Sequence, residues 1–142
     1  MTIYSIAKYF LNKDKSISHR KLQELCYYSY VWWYTFYQNS LFTAKFEAWV
    51  HGPTNRQLYS DWQCNDKLLI LNSEDITFLD LKMFLEDIWK EYGQYTGLEL
   101  ASISHQELPW LKARAGLRAY EPCTDEIDDT FILQEYSNRL NS

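Results

Sequence analysis

The order of apolar and polar residues divides the chain into short helical segments interrupted by strand-like stretches. Ile3, Ile6, Ala7, Phe10 and Leu11 recur on one helix face, with Thr2 placed to cap it. The polar run from Asn12 to Ser16 ends that helix, and Ser18 is placed to cap a longer one reaching about Tyr37. In it Leu22, Leu25, Cys26, Ser29, Trp33 and Phe36 keep helical spacing, while Tyr27, Tyr28, Tyr30, Trp32, Tyr34 and Tyr37 carry the apolar surface nearly all round. A helix apolar on every side is either central to its fold or in contact with a partner.

The period changes at Leu41. Phe42, Ala44, Phe46, Ala48 and Val50 alternate with Thr43, Lys45, Glu47 and Trp49, which predicts a half-buried strand. KLLIL, Lys67 to Leu71, is a second candidate strand, and the stretch near Ile127 a third. One strand cannot persist alone, so a small sheet is the minimum. His51-Gly52-Pro53 predicts a sharp strand-to-helix corner, with Gly52 free to take a positive φ and Pro53 suited to the first helical position. Leu58, Tyr59 and Trp62 then lie on the next helix.

Leu81, Phe84, Leu85, Ile88 and Trp89 mark an amphipathic helix from Phe78 to Tyr92, ended by Gly93. Thr96 and Glu99 have the spacing of a capping box ahead of Leu100 and Ile103. Ser104 and Glu107 repeat that spacing, and Pro109 can restart a helix at Trp110. A last helix, about Asp129 to Leu140, presents Ile132, Tyr136 and Leu140. The expectation is a single domain over 1–142, mainly α with a small β-sheet (α+β): five to seven short helices around a two- or three-stranded sheet.

Composition sharpens this picture. Hydrophobic residues make up 46 % of the 142 and aromatic residues 18 %, too apolar for a disordered chain. The 12 Tyr, 7 Phe and 6 Trp exceed what one small core needs, so some rings are expected on the surface as partner anchors. A net charge of −5 with no basic run argues against nucleic acid as a partner of this chain. The N-terminal stretch is not apolar enough for a signal peptide or membrane span, so a cytoplasmic location and no membrane partner are expected.

Candidate chemistry is sparse. Cys26, Cys64 and Cys123 are widely spaced and form no CxxC pair, so no zinc site or disulfide framework is signalled. His19, His51 and His105 lack metalloenzyme spacing, and neither Cys64 nor Cys123 is locally marked as an activated nucleophile. The four glycines form no phosphate loop. Glu47, His51, His105 and Glu107 make the best catalytic alternative if their segments meet in space. No cofactor or metal is expected, and binding is favoured over catalysis.

Two segments stand out: FEAWVHGPTNRQLY, residues 46–59, and SISHQELPW, residues 102–110, followed by Lys112, Ala113 and Arg114. Together they resemble the SocA-like antitoxin family, also called the Panacea domain, which includes phage-associated proteins of the GepA type. Trp49-Val50-His51-Gly52-Pro53-Thr54 with Leu58-Tyr59 is similar to the family's W-x-x-GPV-x-x-x-LY. Leu100 to Trp110, with Ala113-Arg114, is similar to LS-x-x-TH-x-E-x-PW-x-x-AR. Thr54, Ser104 and Ala101 depart from the family's Val, Thr and Ser, all conservatively for a turn or cap. The resemblance runs from about Ile3 to Leu140.

The resemblance implies an antitoxin that binds and neutralises a cognate protein toxin encoded nearby. Its alternative is a phage or prophage proteolytic adaptor delivering a partner to the ClpXP protease. Some members carry an extra DNA-binding segment, for which this chain is expected to leave no room. Candidate partner-binding residues are Tyr27, Tyr30, Trp32, Tyr34, Trp49, Trp110 and Arg114. The motif residues Trp49, Gly52, Pro53, Leu58, Tyr59, Ser104, His105, Glu107, Pro109 and Trp110 are expected to be structural, with Trp110 and Arg114 close enough on one helix face to stack. The acidic run Asp125 to Asp129 is a solvated face or a complement to a basic toxin surface.

Overall fold

A computed structural model describes residues 1–64 and 67–140. Among them are eight helices: α1 (Ile3–Lys13), α2 (His19–Tyr37), α3 (Arg56–Gln63), α4 (Lys67–Leu71), α5 (Leu79–Tyr92), α6 (Gly97–Ser104), α7 (Leu108–Ala113) and α8 (Asp129–Leu140). Two short strands, β1 (Glu47–Trp49) and β2 (Gly52–Thr54), pair antiparallel with Trp49 opposite Gly52. The fold is mainly α with a small sheet, as the pattern predicts. It has one helix more than the upper expectation, because KLLIL is helical.

α2 is the axis of the molecule. Ser18 Oγ accepts from the Lys21 amide at 3.1 Å, supplying the cap its position promised. Gln38 closes the helix in the left-handed region at φ 55°. Helices α1, α3, α5, α6 and α8 and strand β2 all pack on α2. Leu22, Leu25, Cys26, Tyr28 and Val31 are fully enclosed. Tyr28 stacks on Tyr92 of α5 at 4.2 Å, and Tyr27 meets Phe46 edge-on at 5.3 Å. The core reading of this helix therefore accounts for its first three turns.

Four local expectations change. KLLIL is α4, not a strand: Ile70 is buried while Leu68 and Leu69 face solvent. Among the described residues no strand lies alongside to satisfy its backbone, and a helical turn does so internally. The alternating segment is hydrogen-bonded as a strand only at Glu47–Trp49, although burial still alternates, with Phe42, Phe46 and Ala48 inside and Thr43 and Lys45 outside. A third edge survives as one bridge, Glu47 to Glu126, flanked by Ile127 N donating to Phe46 O at 2.8 Å. Pro53 lies in β2, not at a helix start. The cap of α3 is Asn55, whose Oδ1 accepts from Leu58 N at 2.9 Å.

Gly52 sits at φ +130°, a conformation that side chains avoid. A Cβ there would also stand 2.5 Å from Glu24 Oε2. The hairpin can press onto α2 only because this position is bare.

Glu107 and Ser104 do not repeat the capping box that Thr96 and Glu99 form. The Glu107 side chain instead turns inward, 3 % exposed, and accepts from Tyr28 Oη at 2.8 Å, from Tyr136 Oη and from Arg139 Nη2 at 3.1 Å. One carboxylate thereby joins α2 and α8 at the start of α7. Burial pushes its pKa up, and the tyrosines and Arg139 pull it back.

Two stability predictions follow from these contacts. Glu107→Ala strands two buried hydroxyls and should cost about 3–5 kcal/mol in urea unfolding, with α8 amides losing hydrogen-exchange protection first. Gly52→Ala should cost about 2–3 kcal/mol, whereas Gly116→Ala, also at positive φ (+88°) but with open space around it, should cost about 1 kcal/mol.

Candidate functional site

The two motif segments meet. They form opposite walls of a cleft of about 590 Å³ whose floor is the first turn of α2. The hairpin contributes Trp49, Val50, His51 and Thr54, and α3 contributes Tyr59. Leu98, Ala101 and Ser102 of α6, with His105 and Gln106 just beyond it, face them, and His19 and Arg20 close the base. All three histidines of the chain therefore line one cleft.

Each wall is fixed from behind. Arg20 Nη1 donates to Thr54 Oγ1 at 3.0 Å and Nη2 donates to the Pro53 carbonyl, which locks the hairpin to α2. Gln23, fully buried, accepts from the Asn55 amide at 2.9 Å and donates to the Asn55 carbonyl at 3.1 Å. Trp110 Nε1 donates to the Trp49 carbonyl at 2.9 Å, and Arg114 Nη1 to the Ala48 carbonyl at 2.9 Å. The Arg114 guanidinium lies 4.7 Å over the Trp110 ring, so the stack expected from their spacing forms. The His105 ring also stacks on Trp110, at 4.1 Å.

This geometry places the candidate partner-binding residues. Tyr27, Tyr30, Trp110 and Arg114 are 1 %, 3 %, 5 % and 4 % exposed. They hold the interior together and present no surface, which removes them as direct anchors. Their ring faces and polar ends are matched inside the fold, Tyr30 Oη for example donating to Asp129 at 2.9 Å. Trp32, Tyr34 and Trp49 are half-buried. Trp49 donates from Nε1 to Glu47 at 2.8 Å, meets Tyr59 edge-on at 4.9 Å and carries Arg56 over its ring at 5.6 Å. Of the motif residues, Gly52, Pro53, Leu58, Ser104, Glu107 and Pro109 are buried, while Tyr59 and His105 are partly open to the cleft.

The four-residue acid–base arrangement does not assemble. His51 and His105 share the cleft, but Glu47 pairs with Arg56 at 2.8 Å and Glu107 is enclosed among tyrosines. Among the described residues no three His, Cys, Asp or Glu side chains are grouped to hold a metal ion.

Beneath the cleft lies a residue the motifs do not mark. Glu24 is fully buried, its Oε2 3.3 Å from Arg20 Nε, with neither oxygen hydrogen-bonded. Burial pushes its carboxyl up to about 7, against the pull of Arg20. Burial also lowers His19 to about 4, helped by the Arg20 charge, and lowers His105, so both imidazoles are neutral at physiological pH. The signal in the sequence is two polar residues, Gln23 and Glu24, set between Leu22 and Leu25 with Arg20 one turn before.

Residues 22–111 match the family model described as antitoxin SocA-like, Panacea domain. The chain belongs to this family. The matched span holds α3 to α6, both motif segments and most of α2, and it is shorter at both ends than the resemblance from Ile3 to Leu140. No curated protein and no solved structure matches the chain. Among the described residues of this Panacea domain no helix is long and apolar enough to cross a membrane.

Glu24 gives the site a pH signature. A carboxyl whose pKa rises on folding binds its proton more tightly in the native state, so stability falls as pH climbs from the ordinary 4.5 to about 7. Glu24→Gln has no such proton to lose. The stability of the natural chain relative to this variant should therefore decline by up to ~3 kcal/mol across that window. The opposite trend from His19 is common to both proteins and cancels in the difference. Urea unfolding curves that stay parallel over the window would contradict the burial argument.

Proposed function

We propose that this Panacea domain is the antitoxin of a toxin–antitoxin pair and neutralises a cognate protein toxin by direct, stoichiometric binding. Family membership supports the general role. The observation that carries the binding mode is a run of rings left open where α2 leaves the core. Phe36 and Tyr37 are 52 % and 56 % exposed. Trp33 packs on Tyr37 at 4.4 Å and on Phe84 of α5 at 5.3 Å, and Trp32 lies 5.8 Å from Phe36. Interlocked rings with little rotamer freedom lose little entropy on contact, the property that concentrates binding energy in aromatic anchors.

Trp32 and Tyr34 remain candidates on this reading, joined by Trp33, Phe36 and Tyr37. Trp49 belongs to the cleft instead. The exposed acids Asp125, Glu126 and Asp128 suit a basic toxin surface and would speed encounter more than they deepen affinity. The cytoplasm is the compartment in which such a partner would be met.

Co-expression with the neighbouring open reading frame tests the proposal. The neighbour should be toxic alone, be rescued by this chain and co-purify with it. The double variant Phe36→Asp, Tyr37→Asp should keep its circular dichroism spectrum and bind at least about 30-fold more weakly. A neighbour harmless on its own would remove the proposal's main support. Partner half-life with and without ClpXP separates sequestration, where the partner persists, from delivery to the protease, where it disappears faster.

A further inference from the structure

Four buried side-chain polar atoms among the described residues have no hydrogen-bond partner: Arg20 Nε, both oxygens of Glu24 and Nε2 of His105. Folded interiors leave few such atoms, because each costs about 1–3 kcal/mol. Here all four belong to three residues at or under one cleft. The framework behind the walls is hydrogen-bonded: Arg20 to the Pro53 carbonyl and Thr54, Gln23 to Asn55, Trp110 to the Trp49 carbonyl. Arg20 Nε and Glu24 Oε2 meet only as an ion pair at 3.3 Å, and polar capacity left unbonded in one such place marks it as a candidate for receiving a ligand.

The lining states what that something is. No carboxylate faces the cleft, in a chain with 19 acidic residues and a net charge of −5. Arg20 supplies a cation at the floor, and the acid behind it, Glu24, holds its proton more readily than usual because it is buried. His105 brings its ring to one wall, with Nε2 buried just behind the surface and without a hydrogen-bond partner. Trp49, Tyr59 and Leu98 supply apolar surface, and the volume lies within the range of small-molecule sites. Apolar walls over a cation, with a spare imidazole nitrogen and no acid in front, complement a flat apolar group that carries a negative charge.

We propose that this cleft binds a carboxylate carried on an aromatic group, the ring resting against Trp49 and Tyr59 and the carboxylate meeting Arg20 and His105. Two sources have this chemistry: a free aromatic acid, and the carboxy-terminal aromatic residue of a polypeptide. The site is separate from the ring patch at the far end of α2 and does not depend on the antitoxin reading.

Because every histidine of the chain lines the cleft, histidine-selective ¹³C labelling gives an NMR signal that reports on this site alone. The labelled protein is titrated with 3-phenylpropanoate, N-acetylphenylalanine and N-acetylphenylalaninamide. Both acids should shift the His105 ring resonances to saturation, and the amide, which lacks the charge, should bind at least about tenfold more weakly. Tighter binding of N-acetylphenylalanine assigns the site to a polypeptide terminus, and tighter binding of 3-phenylpropanoate assigns it to a free acid. His105→Phe keeps a ring against Trp110 but removes the nitrogen, and should weaken both acids about tenfold while leaving the His19 and His51 signals folded. Histidine resonances unmoved by millimolar acid, or an amide that binds as well as the acids, would overturn the proposal without touching toxin neutralisation. Both of those readouts use the natural chain, so they hold even if the variant fails to fold.

Discussion

A helix with no polar side must be wrapped, and the wrapping of α2 determines where everything else goes. Five helices and a strand contact it, because that is what it takes to cover rings pointing in every direction. Burying a single large apolar side chain contributes about 1.5–3 kcal/mol, so the enclosed stretch from Leu22 to Val31 outweighs the weak intrinsic preferences of the short elements around it. α4 spans five residues and each strand three, too short to persist outside this context. The wrapping stops before the helix does. Beyond Val31 only Thr35 is buried, and the rings of Phe36 and Tyr37 emerge into solvent.

Wrapping a tyrosine-rich helix brings hydroxyls inside, and polar groups elsewhere must answer them. Glu107 answers two at once and is itself neutralised by Arg139. Tyr30 reaches Asp129, and the Trp32 indole donates to Tyr92 Oη at 2.7 Å. The bonds to Glu107 and Asp129 fix how α8 crosses α2, and the Trp32–Tyr92 bond does the same for α5, where apolar contact alone leaves the angle loose. Glu24 is different. Its charged partner is Arg20, at 3.3 Å in an ion pair without a hydrogen bond. A buried pair of that kind recovers little of its desolvation cost, so it is weak evidence of a stabilising role and stronger evidence of a function at that place.

Sequence patterning recovers the elements whose ends are written locally. Ser18, the Thr96–Glu99 box and Gly93 each announce a helix terminus with their own side chain or backbone, and the helices lie where these residues put them. KLLIL has no such marker, and five apolar residues fit a strand and a helical turn equally until a neighbour is known. The length of the strand was hidden for the same reason: alternation records which face is buried, while pairing depends on whether another chain segment lies alongside. For the site, the two motifs locate the cleft, but spacing could not show that Trp110 and Arg114 face inward to hold the hairpin carbonyls. Aromatic and arginine residues suit interfaces and interiors alike, so burial had to decide. Arg20, Gln23 and Glu24 carry no motif, and their only mark in the sequence is that they interrupt an apolar stripe.

The cleft and the ring patch lie at opposite ends of one helix. From Arg20 to Phe36 the rise along α2 is about 24 Å at 1.5 Å per residue, so no small ligand reaches both. The intervening turns are the most tightly enclosed part of the molecule, with Leu25, Cys26, Tyr28 and Val31 fully buried. A packed helix of this sort has one arrangement, not two, and coupling between distant sites requires an element with alternatives. The polar contacts of the cleft run instead to the hairpin, which is held to α2 by Arg20 and Gln23 and to α7 by Trp110 and Arg114. Occupancy of the cleft would therefore be felt first through the hairpin and α7, on the side carrying Glu107 and α8, and only from there at the exposed rings. The two surfaces are best understood as separate sites on a shared rigid axis.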